Sequence, residues 1–275
     1  MTDDTNSETG AAPARIEGAF CWHELGTTDI AKAKDFYSQV FGWQMTDMPM
    51  PGGMEGTYTT FGTPEHTVGG MYQMEGEGFE GVPPHWGSYV LSSDVDGAAE
   101  KTAAAGGAVL QPPFDVPGVG RMTAVQDPTG AIVSFMRPLP ESPLAALGME
   151  PGRVGWNELT TSDADAAKAF YGSVLGWAYQ DDPMATGGTY TTIKSGDAPV
   201  GGLLAMDAEM QSQMPSQWMP YFNVITCAGF VAKAQQLGGQ VLVSPEEIEG
   251  VGKFAVLADP TGAPFAIIRF EMPEQ

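Results

Sequence analysis

Two glutamates stand in short apolar stretches that alternation would turn into strands: Glu24 in Trp22-His23-Glu24-Leu25 and Glu158 in Trp156-Asn157-Glu158-Leu159. Residues two apart on a strand share a face, so Trp22 looks the same way as Glu24, and Trp156 the same way as Glu158. A carboxylate on an inward strand face is costly unless it is paired or hydrogen-bonded. Such a group can bind a cation, or its pKa can rise until it works as a general base. It can equally be architectural, accepting hydrogen bonds from a tyrosine, an indole N–H or the backbone. The same alternation sets Tyr89 beside Gly87 and Leu91, and Ser134 beside Ile132 and Met136. In the second half it sets Tyr221 and Asn223 beside Met219, and Ala266 beside Pro264 and Ile268. If these strand faces line one cavity, an indole, a carboxylate and a phenol over apolar walls suit a small organic ligand. Glu24 and Glu158 are thus the candidate catalytic residues. Trp22, Tyr89, Ser134, Trp156, Tyr221 and Asn223 are candidate ligand contacts. Arg121 and Lys253 each follow a Gly-Val-Gly loop and are candidates to hold an anionic substrate group, with a solvated loop charge as the alternative.

These residues come in pairs because the chain repeats itself. Phe36-Tyr37 and Gly42-Trp43 return as Phe170-Tyr171 and Gly176-Trp177. Thr57-Tyr58-Thr59-Thr60 returns as Thr189-Tyr190-Thr191-Thr192, and Asp127-Pro128-Thr129-Gly130 as Asp259-Pro260-Thr261-Gly262. The predicted organisation is a disordered tail over 1–18, one domain over 19–138, a proline-bearing linker over 139–152 and a second domain over 153–271. A fainter duplication lies inside each domain. Asp29 and Asp94 can cap the first free N–H groups of a helix. Gly42 and Gly107 can supply the left-handed stop. Ala33, Phe36, Tyr37 and Val40 have the spacing of one helix face. A short strand precedes each capping Asp, and strand-like pieces follow each Gly. Asp-Pro-Thr-Gly reads as a type I turn. The unit is strand–helix–strand–strand–strand, twice per domain, giving an α+β fold of paired βαβββ modules with a cupped mixed sheet.

Composition narrows the partners. The formal charge of −22 opposes nucleic acid and anionic membrane, which need a basic footprint. No apolar run approaches the roughly 20 residues of a membrane helix. The first residues lack the basic and apolar regions of a secretory signal, so a cytoplasmic protein is expected. Cys21 and Cys227 lie far apart without metal-ligand spacing, and read as buried thiols. Sixteen methionines, among them Met45, Met48, Met50 and Met54 around one loop and Met206, Met210 and Met214 around another, suit adaptable apolar surfaces or gap-filling.

The run from Asp29 through Phe36-Tyr37 to Gly42-Trp43, its echo from Asp163, and the two Asp-Pro-Thr-Gly turns resemble the vicinal oxygen chelate superfamily of glyoxalase, bleomycin resistance and dioxygenase proteins. The likeness covers nearly the whole chain past residue 18. It is nearest to tandem-domain actinobacterial proteins labelled hydroxylases or glyoxalase-like. The resemblance implies that each pair of modules forms a deep cup, whose floor in many members holds a divalent ion on His, Glu or Gln. Carried over residue by residue, those positions hold Trp22 and Trp156, Gly87 and Met219, and Ser134 and Ala266, with the remaining position near Gly70 and Gly202. None supplies the usual imidazole or carboxylate. All three histidines, His23, His66 and His85, fall in the first domain. His23 is one residue out of register and would face away from the cup. His66 and His85 read as loop residues. The expectation is therefore no metal and no cofactor, with a small organic molecule as partner, in a monomer of paired domains or a homodimer. The alternatives are a lyase, hydroxylase or dioxygenase with a divalent metal at an unusual site in the first domain, and an interaction module whose cups are filled by their own side chains.

Overall fold

The computed structural model describes residues 15–53, 55–184 and 187–271. Most of the expected disordered tail, and Met54, lie outside these residues. The first repeat runs β1 (Phe20–Thr27), α1 (Ile30–Phe41), β2 (Gln44–Pro49), β3 (Thr57–Gly62) and β4 (Thr67–Gln73). It continues with β5 (His85–Leu91), α2 (Val95–Ala104), β6 (Ala108–Val116), β7 (Gly120–Gln126) and β8 (Ile132–Pro138). The second runs β9 (Val154–Thr161), α3 (Ala164–Leu175), β10 (Ala178–Pro183), β11 (Thr189–Ser195) and β12 (Ala198–Ala205). After a short extra helix, α4 (Ala208–Gln213), come β13 (Gln217–Asn223), α5 (Cys227–Gln236), β14 (Gln240–Ile248), β15 (Gly252–Ala258) and β16 (Pro264–Phe270).

The helices start and stop on the residues that local chemistry selects. Asp29 caps α1 through the Lys32 N–H, and Asp163 caps α3 through the Ala166 N–H. Gly42 and Gly176 end these helices at φ 73° and 70°, a conformation only glycine adopts cheaply. After α2 the left-handed residue is Gly106, at φ 83°, and not Gly107. Gly107 instead allows close packing, since a Cβ there would meet Phe170 of the other repeat.

Each repeat makes one eight-stranded mixed sheet, in the order β2-β3-β4-β1-β5-β8-β7-β6 and β10-β11-β12-β9-β13-β16-β15-β14. β1 lies parallel to β4 and antiparallel to β5, so the two βαβββ modules join along their first strands. That register sets Glu24 opposite Gly70 on one side and Gly87 on the other, at the centre of the sheet.

Two large cores lie between the repeats. One joins Leu25, Phe36, Tyr37 and Trp43 to Phe222, Phe230 and Phe265. The other joins Phe20, Val125 and Phe135 to Phe170, Tyr171, Trp177 and Trp218. The opposite face of each sheet carries a smaller cluster of its own: Trp22, Tyr58, Leu91 and Met136 in the first repeat, Met219, Tyr221, Ala266 and Ile268 in the second. These faces are the two cups.

Residues 15–18 are not part of a loose tail. Arg15 donates to the carbonyls of Leu139 and Pro140, Glu17 accepts from the Ser93 N–H, and the Trp177 indole donates to the Gly18 carbonyl. The linker is held on both sides. Ala145 N–H donates to the Cys21 carbonyl, Trp43 Nε1 to the Gly152 carbonyl and Arg153 to the Ala146 carbonyl.

Candidate functional site

Glu24 lies at the floor of the first cup as the acceptor of two phenols. Tyr58 Oη donates to Oε1 at 2.6 Å and Tyr89 Oη to Oε2 at 2.8 Å. Trp22 Nε1 donates to Tyr58 Oη at 3.0 Å. The second cup repeats the chain. Trp156 Nε1 donates to Tyr190 Oη and Tyr221 Oη donates to Glu158 Oε1, both at 2.8 Å, and Tyr190 also faces that carboxylate. Burial pushes both carboxyl groups above the ordinary carboxylate range, and the phenol hydrogen bonds pull the other way. Burial and the adjacent carboxylates raise the four phenols well above their usual value, so they remain protonated donors.

Tyr58 and Tyr190 were absent from the candidates read from sequence. Their signal was the repeated Thr-Tyr-Thr-Thr run, and the missing information was where β3 sits. The structure also explains Gly70 and Gly202. A Cβ on either would collide with the hydroxyl of Tyr58 or Tyr190, so each glycine is the bare patch across which its phenol lies.

Of the other candidates, Ser134 sits beside Tyr89 in register, on the same face. Trp22 is buried and Trp156 half-buried, each tied into its relay. Three expectations need correction. Arg121 projects from the helix-bearing face of β7, where it pairs with Asp96 on α2 and Asp115 on β6 at 2.7 and 3.1 Å. Lys253 likewise leaves the cup face of β15 and meets Glu247 at 3.1 Å. The alternation that brings Phe254 and Val256 into the cup turns Lys253 away. Asn223 is buried, but its amide donates to the Gly148 carbonyl, and so it anchors the linker. His85 also differs from expectation. It opens β5 on the same face as Gly87 and Tyr89, with Nδ1 against the Pro83 carbonyl at 2.9 Å. His66 lies between β3 and β4, as a loop residue should. His23 faces away from the cup and is fully buried between the repeats, with Nε2 2.9 Å from Asn157 Oδ1.

Of the repeated methionines, Met50 packs on the first cup's cluster and Met45 on the inter-repeat core, while Met206 is buried. Burial pushes the Cys21 thiol up to about 12, which makes it inert.

The two repeats match separate family descriptions: residues 20–135 match the Glyoxalase/Bleomycin resistance protein/Dioxygenase superfamily, and residues 157–268 a Glyoxalase-like domain. CFP32 of Mycobacterium tuberculosis, provisionally named a glyoxylase, is 40% identical over 92% of this chain and 95% of its own length. The chain belongs to the glyoxalase/bleomycin resistance/dioxygenase superfamily. Another superfamily relative, the anthracycline biosynthesis protein DnrV of Streptomyces peucetius, is 34% identical over 91% of this chain and 93% of its own. The fold is shared with the Mn(II)-bound glyoxalase of Novosphingobium aromaticivorans, with TM-score 0.60, 18% identity, and coverage of 92% of this chain and 82% of that one. It is shared too with the 2,3-dioxygenase LapB of Pseudomonas sp. KL28, with TM-score 0.58, 12% identity, and coverage of 95% and 96%.

The superfamily's divalent ion does not fit these cups. At the corresponding positions stand indoles, a glycine or methionine, and a serine or alanine. The hydroxyl of Tyr58 or Tyr190 fills the space over the remaining position. Each floor offers one carboxylate, hydrogen-bonded by phenols, where a catalytic metal needs about three ligands. Among the described residues, no three His, Cys, Asp or Glu side chains gather as a metal would need.

Proposed function

We propose that this superfamily member binds a small, largely apolar organic molecule in a cup, through a carboxylate and phenols, with no metal ion. The observation that carries this reading is the hydrogen-bonded Trp–Tyr–Glu relay on the first floor, with a further Tyr on the same carboxylate, and the same residue types gathered on the second. It offers a polarised, water-poor acceptor among apolar walls. A ligand donor brought to such a carboxylate makes a charge-assisted hydrogen bond. The names of two relatives, DnrV and DauV, place them in anthracycline biosynthesis. Anthracyclines are flat and aromatic, and they suit walls of Leu91, Met122, Met136 and Trp22. The raised Glu24 carboxyl is also suited to accept a proton from a bound molecule.

The test is a fluorescence titration with an anthracycline, with and without excess chelator. Saturable binding unaffected by chelator, and weakened about tenfold or more by Glu24→Gln, supports the reading. Binding that requires an added divalent ion would overturn it.

A further inference from the structure

The two cups share a relay but not its surroundings. Around Glu24 the first cup keeps two glycines: Gly26, two residues along β1, and Gly87, the residue paired with Glu24 on β5. A Cβ on Gly87 would meet only the Glu24 carbonyl, at 3.7 Å. The equivalents around Glu158 are Thr160 and Met219, whose side chains are buried and occupy that space. Glu24 is half-buried, somewhat less covered than the buried Glu158.

Two polar groups, Tyr72 and His85, close over Gly26 together with Met74. A Cβ there would lie 3.0 Å from Tyr72 Oη, 3.1 Å from Met74 Sδ and 3.2 Å from His85 Cε1, so these side chains pack directly over the glycine. The equivalents of Tyr72 and His85 in the second repeat are Leu204 and Gln217. With His85 Nδ1 spent on a carbonyl, that nitrogen carries the proton and Nε2 is an acceptor. Among the described residues, neither His85 Nε2 nor Tyr72 Oη has a hydrogen-bond partner. Glu24 contributes a carboxylate. Glu24, Tyr72 and His85 thus lie close together on one side of the cup, and a carboxylate beside an imidazole acceptor and a phenol suits a donor-rich cation.

We propose that the first cup alone is the ligand site and that Glu24, Tyr72 and His85 receive an amino group of the ligand as its ammonium, while the second cup serves as scaffold. This rests on the metal-free binding reading above, and it adds which cup and which chemical group. Gly87 admits the ligand beside Glu24, and Met50, packed on the same apolar cluster, covers its body.

The experiment compares an anthracycline bearing a free amino sugar with its N-acetylated, uncharged form, by fluorescence titration of the intact chain. The expected result is one site per chain, with the free amine bound about tenfold or more tightly than the acetylated form. Gly87→Met, which installs the second cup's residue, should remove binding. His85→Gln, which also copies the second repeat and leaves the floor in place, should shrink the preference for the amine. Equal affinity for the two forms would overturn the amine assignment and leave the binding reading intact. Two equivalent sites, or one site that survives Gly87→Met, would overturn the choice of cup. Failure of both forms to bind would overturn this proposal and the binding reading together.

Discussion

Tyr58 and Tyr190 hold the floors together, because each hydroxyl satisfies an indole N–H on one side and reaches a carboxylate on the other. Replacing either by phenylalanine leaves a buried donor and acceptor unmatched. Each such loss costs about 1–3 kcal/mol, so Tyr58→Phe should lower unfolding free energy by at least that amount in a urea titration. No change would mean that the hydrogen bonds are not made in solution. At this scale the sequence was half legible. Alternation put Trp22 with Glu24, and Tyr89 with Gly87, while the family resemblance brought the two strands' faces together. Alternation could not show that Gly70 is bare so that a tyrosine from the neighbouring strand can cross it, because that depends on cross-strand register. Nor could it place His85, since the end of β5 is set by its pairing with Gly26.

At the scale of elements, one sheet presents two faces with different tasks. β7 sends Met122 into the cup and Arg121 the other way, onto Asp96 of α2 and Asp115 of β6. Exposed ion pairs contribute little, so Arg121→Gln should cost about 1 kcal/mol or less and leave anthracycline affinity unchanged. A loss of affinity would return Arg121 to the site. The error in the sequence reading was one of phase: a loop ending in Gly gives no fixed parity to the next residue. Helix boundaries were legible because Asp29, Asp163, Gly42 and Gly176 act locally. The left-handed stop after α2 fell on the first glycine of Gly106-Gly107 because the second is needed for packing against Phe170.

At the scale of the molecule, the repeated motifs serve the contact between the repeats. Thr27 Oγ1 donates to Thr261 Oγ1 of the second Asp-Pro-Thr-Gly turn, and Thr161 Oγ1 to Thr129 Oγ1 of the first. Tyr37 faces Asp259 while Tyr171 faces Asp127. His23 and Asn157, equivalent residues, meet between the repeats. Burial pushes the His23 imidazole down to about 4 from 6.5. The unfolded chain therefore takes up a proton, as pH falls through 6.5, that the folded chain refuses until about 4. Stability is lost across that window, by about 3 kcal/mol in all. Glu24 and Glu158, with raised pKa values, contribute in the opposite sense, their stabilising share fading as pH rises above the unfolded carboxyl value. His23→Asn leaves those terms in place. The difference between variant and parent unfolding curves should therefore grow in the variant's favour from pH 6.5 toward 4. Parallel curves would show that His23 is not held neutral between the repeats. The repeat was fully legible in the sequence, but its use as an interface was not, since conserved spacing says nothing about which copy a motif touches.

The cup floors hold indoles, phenols and one carboxylate in place of metal ligands, and calorimetric titration of chelator-stripped protein with Mn(II) and Zn(II) tests that most directly. The expected result is weak, non-saturating heat from the acidic surface, identical in the parent and in Glu24→Gln. Tight one-to-one binding of either ion, abolished by Glu24→Gln, would contradict it.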